Sequence, residues 1–98
     1  MPLFLVRCQL EVPGSPEVFE AFVRTCDLCS SFQSSGKVRS FGAFADMSGG
    51  AVIVEAESEE EVMRFVESMP VKPFVRTEVK RLLSPEELKS FTSSQKTR

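Results

Sequence analysis

Histidine, tryptophan and tyrosine are absent from the chain. The missing histidine matters most, because it is the side chain that titrates near neutrality and the commonest zinc ligand. No run of five or more basic residues occurs, and the net charge is −2. That balance argues against nucleic acid and anionic membranes, which are bound by clustered Lys and Arg neutralising phosphates. No apolar run approaches the ~18 residues needed to cross a bilayer. The opening stretch Met1–Val12 carries Arg7, Gln9 and Glu11, unlike the apolar region of a secretory signal. Cysteine is scarce and odd in number, whereas a secreted disulfide framework favours an even count. The expectation is a cytoplasmic protein with no nucleic-acid and no membrane partner.

What is present fits one domain with one core. Hydrophobic residues make up 42% and charged residues 27%, an ordinary balance, and a chain of this length buries roughly two-thirds of its unfolded surface. In residues 3–12, LFLVRCQLEV, every even position is apolar, which predicts a strand with one dry face. Pro13-Gly14 ends it. Ser15-Pro16-Glu17 has the grammar of a helix start, and the recurrence of Phe19, Phe22, Val23, Cys26, Cys29 and Phe32, flanked by Val18, predicts a buried stripe on a helix reaching about Phe32. KVRSFGAFA, residues 37–45, predicts a second strand of less regular pattern. Residues 46–50, DMSGG, read as a hairpin turn using Gly49 and Gly50. AVIVEAE, residues 51–57, reads as a central strand.

Ser58 and Glu61 stand at capping-box spacing ahead of a second helix whose stripe is Val62, Phe65, Val66 and Met69. Pro70 stops that helix. Val71-Lys72 reads as a short extended step, and Pro73 stiffens the chain again before a fourth strand from Phe74, FVRTEVKRLL. Ser84-Pro85-Glu86-Glu87 repeats the helix-start grammar for a short terminal helix. The domain is expected to occupy residues 1–91, with 92–98 a disordered tail. The order β-α-β-β-α-β is the ferredoxin-like α+β pattern. Right-handed crossovers then give an antiparallel sheet of order 4-1-3-2 with both helices on one face.

Strand parity assigns the two faces. The even side of the first strand belongs under the helices. The uncovered face then carries Leu3, Leu5, Arg7, Gln9 and Glu11, with Ala51, Ile53, Glu55 and Glu57 from the third strand. The fourth adds Phe74, Arg76, Glu78, Lys80 and Leu82. Five large apolar residues there would form an exposed patch on a lone protomer. Arg7, Arg76 and Lys80 are balanced by Glu55 and Glu78. The mixture predicts a sheet-on-sheet homodimer with paired charges between the sheets.

Two motifs weaken on inspection. Cys26-Asp27-Leu28-Cys29 is a C-x-x-C, but it lies toward the end of its helix, where the dipole opposes a thiolate, and both cysteines fall on the apolar stripe; they read as core residues. Arg39-Ser40-Phe41-Gly42-Ala43-Phe44 has the look of an aromatic RNA-binding signature, but on the second strand instead of the third. No four-ligand metal set is found.

The stretch AVIVEAESEEEVMRFVESMPVKPFVRTEVKRL, residues 51–82, resembles the dimeric α+β barrel superfamily, and within it muconolactone isomerase-like proteins. The likeness lies in the central strand, the Ser-x-Glu-Glu helix start, the corner Met69-Pro70-Val71-Lys72-Pro73-Phe74 and the Glu-Val-containing last strand. The resemblance implies a small-molecule pocket between sheet and helices, of at least ~300 Å³ if typical, and isomerisation of a lactone or other small organic acid by proton shuttling, with no cofactor. Without histidine, the acid–base pair must be a carboxylate with Lys or Arg, which makes Glu55 and Glu78 the catalytic candidates. Arg7, Arg76 and Lys80 are expected to bind ligand or line the dimer interface. The alternative is a non-catalytic homodimerisation or sensor module of the same fold.

Overall fold

The computed structural model describes residues 1–96. Its elements are β1 (Leu3–Leu10), α1 (Pro16–Gln33), β2 (Val38–Ala43), β3 (Gly49–Glu55), α2 (Glu59–Glu67), β4 (Val75–Leu82) and α3 (Pro85–Lys96), with a 3-10 turn at Lys72–Phe74 before β4. The strands form one antiparallel sheet in the order β2-β3-β1-β4. This is the expected 4-1-3-2 arrangement read from the other edge, and the fold is ferredoxin-like.

The alternation of β1 sets the layers. Phe4, Val6 and Cys8 are buried, while Arg7 between them is exposed. Val52 and Val54 of β3 continue the dry face, and Val62, Phe65 and Val66 of α2 close over it in a single hydrophobic cluster. Val6, Val54, Val62 and Val66 are fully buried, and each contributes roughly 1.5–3 kcal/mol relative to exposure. Phe32 of α1 and Phe65 of α2 meet edge to face with ring centroids 5.7 Å apart, joining the two helices over the core.

The helix starts follow their sequence grammar. Ser15 Oγ accepts the Val18 N–H at 3.2 Å. Ser58 Oγ accepts the Glu61 N–H at 3.3 Å, and the Glu61 carboxylate reaches back to the Glu57 N–H at 2.8 Å. At α3, Ser84 Oγ accepts the Glu87 N–H at 3.1 Å and the Glu87 carboxylate accepts the Ser84 N–H at 2.9 Å.

Four expectations need correction. First, α1 is rotated. Its buried residues are Val18, Ala21, Thr25 and Cys29, while Phe19 and Val23 are exposed. Thr25 goes inside because its hydroxyl is satisfied twice, donating to the Ala21 carbonyl at 2.8 Å and accepting the Val71 N–H at 3.1 Å. A stripe chosen by hydropathy alone passes over a threonine whose polarity is met locally. Phe19 instead lies against Gly14, where a Cβ would come within 2.8 Å of its ring.

Second, the segment between the two prolines is not extended. Val71 has φ −82° and ψ −7°, and Lys72–Phe74 forms a 3-10 turn. The Lys72 N–H bonds to Met69 O at 3.0 Å and the Phe74 N–H to Val71 O at 2.9 Å. Phe74 therefore packs against the core and is not part of the open face. The Pro70 and Pro73 rings fix a tight turn that buries Met69 and Val71.

Third, Gly49 and Gly50 do not make the hairpin turn. They begin β3, and the left-handed residue of the turn is Met47, with φ 65°. Gly49 is required by close approach: a Cβ there would sit 1.9 Å from the Cys8 carbonyl oxygen.

Fourth, α3 is longer than a short terminal helix. It takes in residues 92–96 of the stretch read as a disordered tail; residues 97 and 98 lie outside the described residues. Every residue from Pro85 to Thr92 is exposed. A helix this short is marginal in water on its own, and Leu83, Leu88 and Phe91 present their apolar surface outward.

Candidate functional site

The four strands leave one face without helices, and the sequence-derived site residues sit there. In the β1–β4 register Arg7 stands directly opposite Glu78, Gln9 opposite Arg76 and Leu5 opposite Lys80. Leu5 also faces Ile53, and Leu3 faces Glu55, across β1–β3. Opposed residues on one sheet face have Cβ atoms about 4.5–5.5 Å apart. Arg7, Gln9, Arg76 and Glu78 thus form one cluster, and with Thr77 they line a depression of about 330 Å³. Toward β2 the same face turns apolar, in a depression of about 290 Å³ whose walls include Leu5, Ser40, Phe44 and Ile53.

Glu55 is not part of this cluster: it stands opposite Leu3 at the end of β3, whereas Arg7 stands opposite Ala51. Its carboxylate accepts two hydrogen bonds from Arg39, at 3.1 Å from Nε and 2.7 Å from the terminal nitrogen. Those bonds hold its pKa below the ordinary carboxylate value, with the Arg39 charge adding to the effect against some desolvation. A carboxylate held ionised is a weak base, so Glu55 is the poorer of the two candidates. Glu78 keeps a looser neighbour, Lys80, at 4.0 Å.

Arg39 is the partner that sequence reasoning missed. Val38 pairs with Val54 and Ser40 with Ile53, so β2 carries one extra residue between them. A bulge bends a strand and re-aims a side chain; here it turns Arg39 onto Glu55. The signal was the irregular alternation of KVRSFGAFA, which marks a break without saying which residue is displaced.

The space expected beneath the helices is not there. Between α1 and the β2–β3 part of the sheet lies a cleft of only about 30 Å³, lined by Phe22, Cys26, Cys29, Phe41, Met69 and others. Small-ligand sites typically measure ~300–1,000 Å³. The core side chains fill the volume between the helices and the sheet; a larger depression on the helix side, about 360 Å³, lies at the outer edge between α1 and α2, lined by Phe32, Lys37, Glu61, Arg64, Phe65 and Ser68. The three cysteines are free thiols and line this cleft. Burial pushes Cys8 and Cys29 up to about 11, and Cys26 is raised by burial and by Asp27. Such thiols are poor nucleophiles. Phe4, on the strand that would partner an aromatic RNA-binding signature, is buried under the helices. Among the described residues, no helix is long and apolar enough to cross a membrane.

Comparison with known proteins gives a consistent fold. A 5-chloro-2-hydroxyhydroquinone dehydrochlorinase (TftG) from Burkholderia phenoliruptrix, solved in complex with 2,5-dihydroxybenzoquinone, aligns with a TM-score of 0.63 at 23% identity, covering 86% of this chain and 96% of its own. A crystal structure of muconolactone isomerase aligns with a TM-score of 0.68 at 20% identity, covering 85% and 91% respectively. No curated protein sequence is a match. The sequence likeness noted over residues 51–82 extends much further, since the family description Muconolactone delta-isomerase fits residues 2–87. With the fold and nearly the whole chain in agreement, this protein belongs to the muconolactone delta-isomerase family.

Proposed function

We propose that the chain works as a homodimeric α+β barrel which binds a lactone or small organic acid on its open sheet face and isomerises it without a cofactor. The observation that carries this reading is the pair Arg7 and Glu78. They stand opposite each other across β1 and β4, on the rim of the 330 Å³ depression, yet do not close into an ion pair. In a double-bond shift, Glu78 takes a proton from the carbon beside the ligand's carbonyl. The electron pair moves into the carbonyl as an enolate, and the same carboxyl, whose acidic proton exchanges with solvent at this exposed position, protonates the far end of the allylic system. A nearby cation stabilises the enolate oxygen. The assignment of Glu78 ahead of Glu55 follows from the Arg39 bond that keeps Glu55 ionised.

Two features support the homodimer. The open face holds half-buried Leu3, Leu5, Ile53 and Leu82, apolar surface that a second sheet would cover. The outward row Leu83, Leu88 and Phe91 adds another exposed apolar strip. A cytoplasmic setting agrees with three cysteines kept as thiols.

Ultraviolet absorbance, following conjugation of an unsaturated lactone acid, tests the activity. Glu78→Gln should lower turnover by about 10²–10⁴-fold, the usual share of a general base, and turnover in deuterium oxide should place solvent deuterium in the product. Undiminished turnover in Glu78→Gln overturns the assignment. Binding without any turnover would instead establish the non-catalytic module. Sedimentation at micromolar concentration tests the assembly: wild type should run as a dimer or larger, and Ile53→Arg should shift it to monomer.

A further inference from the structure

The depression of about 360 Å³ between α1 and α2 lies on the far side of the sheet from the open face, so a partner sheet laid on that face leaves it uncovered. Phe32 and Phe65 form its floor, with ring planes meeting at 75°, an angle that leaves a corner for a third ring. Two cations stand at its rim. Lys37 lies 3.8 Å from Glu61, too far for a hydrogen bond. The Glu61 carboxylate is tethered from the other side, where it accepts the Glu57 N–H at 2.8 Å. Arg64 takes part in none of the ion pairs among the described residues. Ser68 Oγ already donates to the Phe65 carbonyl at 2.6 Å, so donors toward the depression come from Lys37 and Arg64.

We infer that this depression is a second binding site, specific for a small aryl phosphate whose ring rests on Phe32 and Phe65 and whose phosphate bridges Lys37 and Arg64. The volume falls within the ~300–1,000 Å³ of small-ligand sites. The two cations belong to different elements, the approach to β2 and the middle of α2, and reach the anion from two directions. A phosphate fans three strong acceptor oxygens and answers both. A carboxylate has two coplanar oxygens, which the Arg64 fork alone would fill. The negative end of α1 lies beside Phe32 and would repel an anion. Its carbonyls are answered within the helix: the hydroxyls of Ser31, Ser34 and Ser35 donate to Leu28, Ser31 and Phe32 at 2.7, 3.1 and 2.9 Å. The inference stands apart from the open-face reading, since the two sites share no residue.

Nuclear magnetic resonance titration of the full chain with phenyl phosphate tests it. Saturable shifts are expected at Arg64 Nε and the Phe65 ring. Inorganic phosphate lacks the ring and benzoate lacks the third oxygen, so each should bind at least about tenfold more weakly. Arg64→Gln and Lys37→Gln should each weaken phenyl phosphate about tenfold, the value of one charge-assisted hydrogen bond converted to affinity. Arg64 is exposed, so its variant should melt as wild type does. Phe32→Leu should weaken phenyl phosphate and leave inorganic phosphate unchanged, a split that general loss of structure would not produce. Glu78→Gln should bind phenyl phosphate as wild type does; loss of binding there would move the site to the open face and overturn the assignment. A phosphotyrosine peptide should bind no better than phenyl phosphate, and tighter binding of the peptide would overturn the small-molecule assignment. Benzoate binding as well as phenyl phosphate, no saturable binding of phenyl phosphate, or binding unchanged in Arg64→Gln overturns the inference.

Discussion

The hydroxyl of Thr25 accepts the backbone N–H of Val71 at 3.1 Å, across 46 residues of sequence. This bond joins the middle of α1 to the corner between Pro70 and Pro73. Both partners are buried, so the donor has no water to fall back on. The corner is held by a hydrogen bond from the first helix as well as by its two proline rings.

Replacing Thr25 with valine keeps the shape and removes that acceptor. The Val71 N–H is then buried and unpaired, which costs about 1–3 kcal/mol. Thr25→Ser should keep most of the stability, because the hydroxyl remains. Urea denaturation of the three proteins measures the difference; equal midpoints would show that the corner does not depend on this bond.

Gly49 admits no side chain. A Cβ would sit 1.9 Å from the Cys8 carbonyl oxygen and 3.2 Å from the Gln9 Cα, and both belong to the backbone of β1, which cannot rotate away. Gly49→Ala is expected to cost more than about 3 kcal/mol, in the range reserved for severe strain. Gly36, at φ +86° with nothing within 4 Å, is a comparison site where strain comes from the backbone angle alone and should cost about 1–2 kcal/mol. Thermal melting of Gly49→Ala and Gly36→Ala should rank them in that order.

The Arg39–Glu55 pair sets a pH dependence of known sign. Glu55 titrates lower in the folded chain than an ordinary carboxylate, chiefly through the Arg39 hydrogen bond. Its contribution is complete above the ordinary carboxylate range and is lost as the pH falls through the lowered native value. Carbon-detected titration should find the Glu55 side chain below the usual glutamate value in wild type and back near it in Arg39→Gln. An unchanged Glu55 titration in Arg39→Gln would show that the bulge does not hold the pair together.

The thiols should react in a graded order. Cys8 and Cys29 are buried and pushed up to about 11, while Cys26 is partly exposed. With a disulfide reagent at pH 8, native protein should label first and mainly at Cys26, and all three should label in denaturant. Rapid native labelling of Cys29 would contradict its place in the core.

Much of this fold was legible because its signals are local. The unbroken even row Phe4, Val6, Cys8 marked which side of β1 is dry, and three capping serines, two of them with a glutamate three residues on, marked the helix starts. The β1 alternation also placed Arg7 on the open face correctly. The α1 stripe was misread at Val23 and Thr25, since hydropathy does not know that a threonine will find two backbone partners. The Arg39–Glu55 bond was hidden by the extra residue in β2, which shifts the period of two where the pair forms.

By itself the sequence determined the order of the elements, their caps and the inward face of β1, all of which depend on residues within a few positions of one another. Only the tertiary structure decided the rotation of α1, the turn between the prolines and the company each open-face charge keeps. Those depend on relations between residues far apart in the chain, such as the Thr25–Val71 bond made when α1 closes over the sheet and the β1–β4 register that sets Arg7 opposite Glu78.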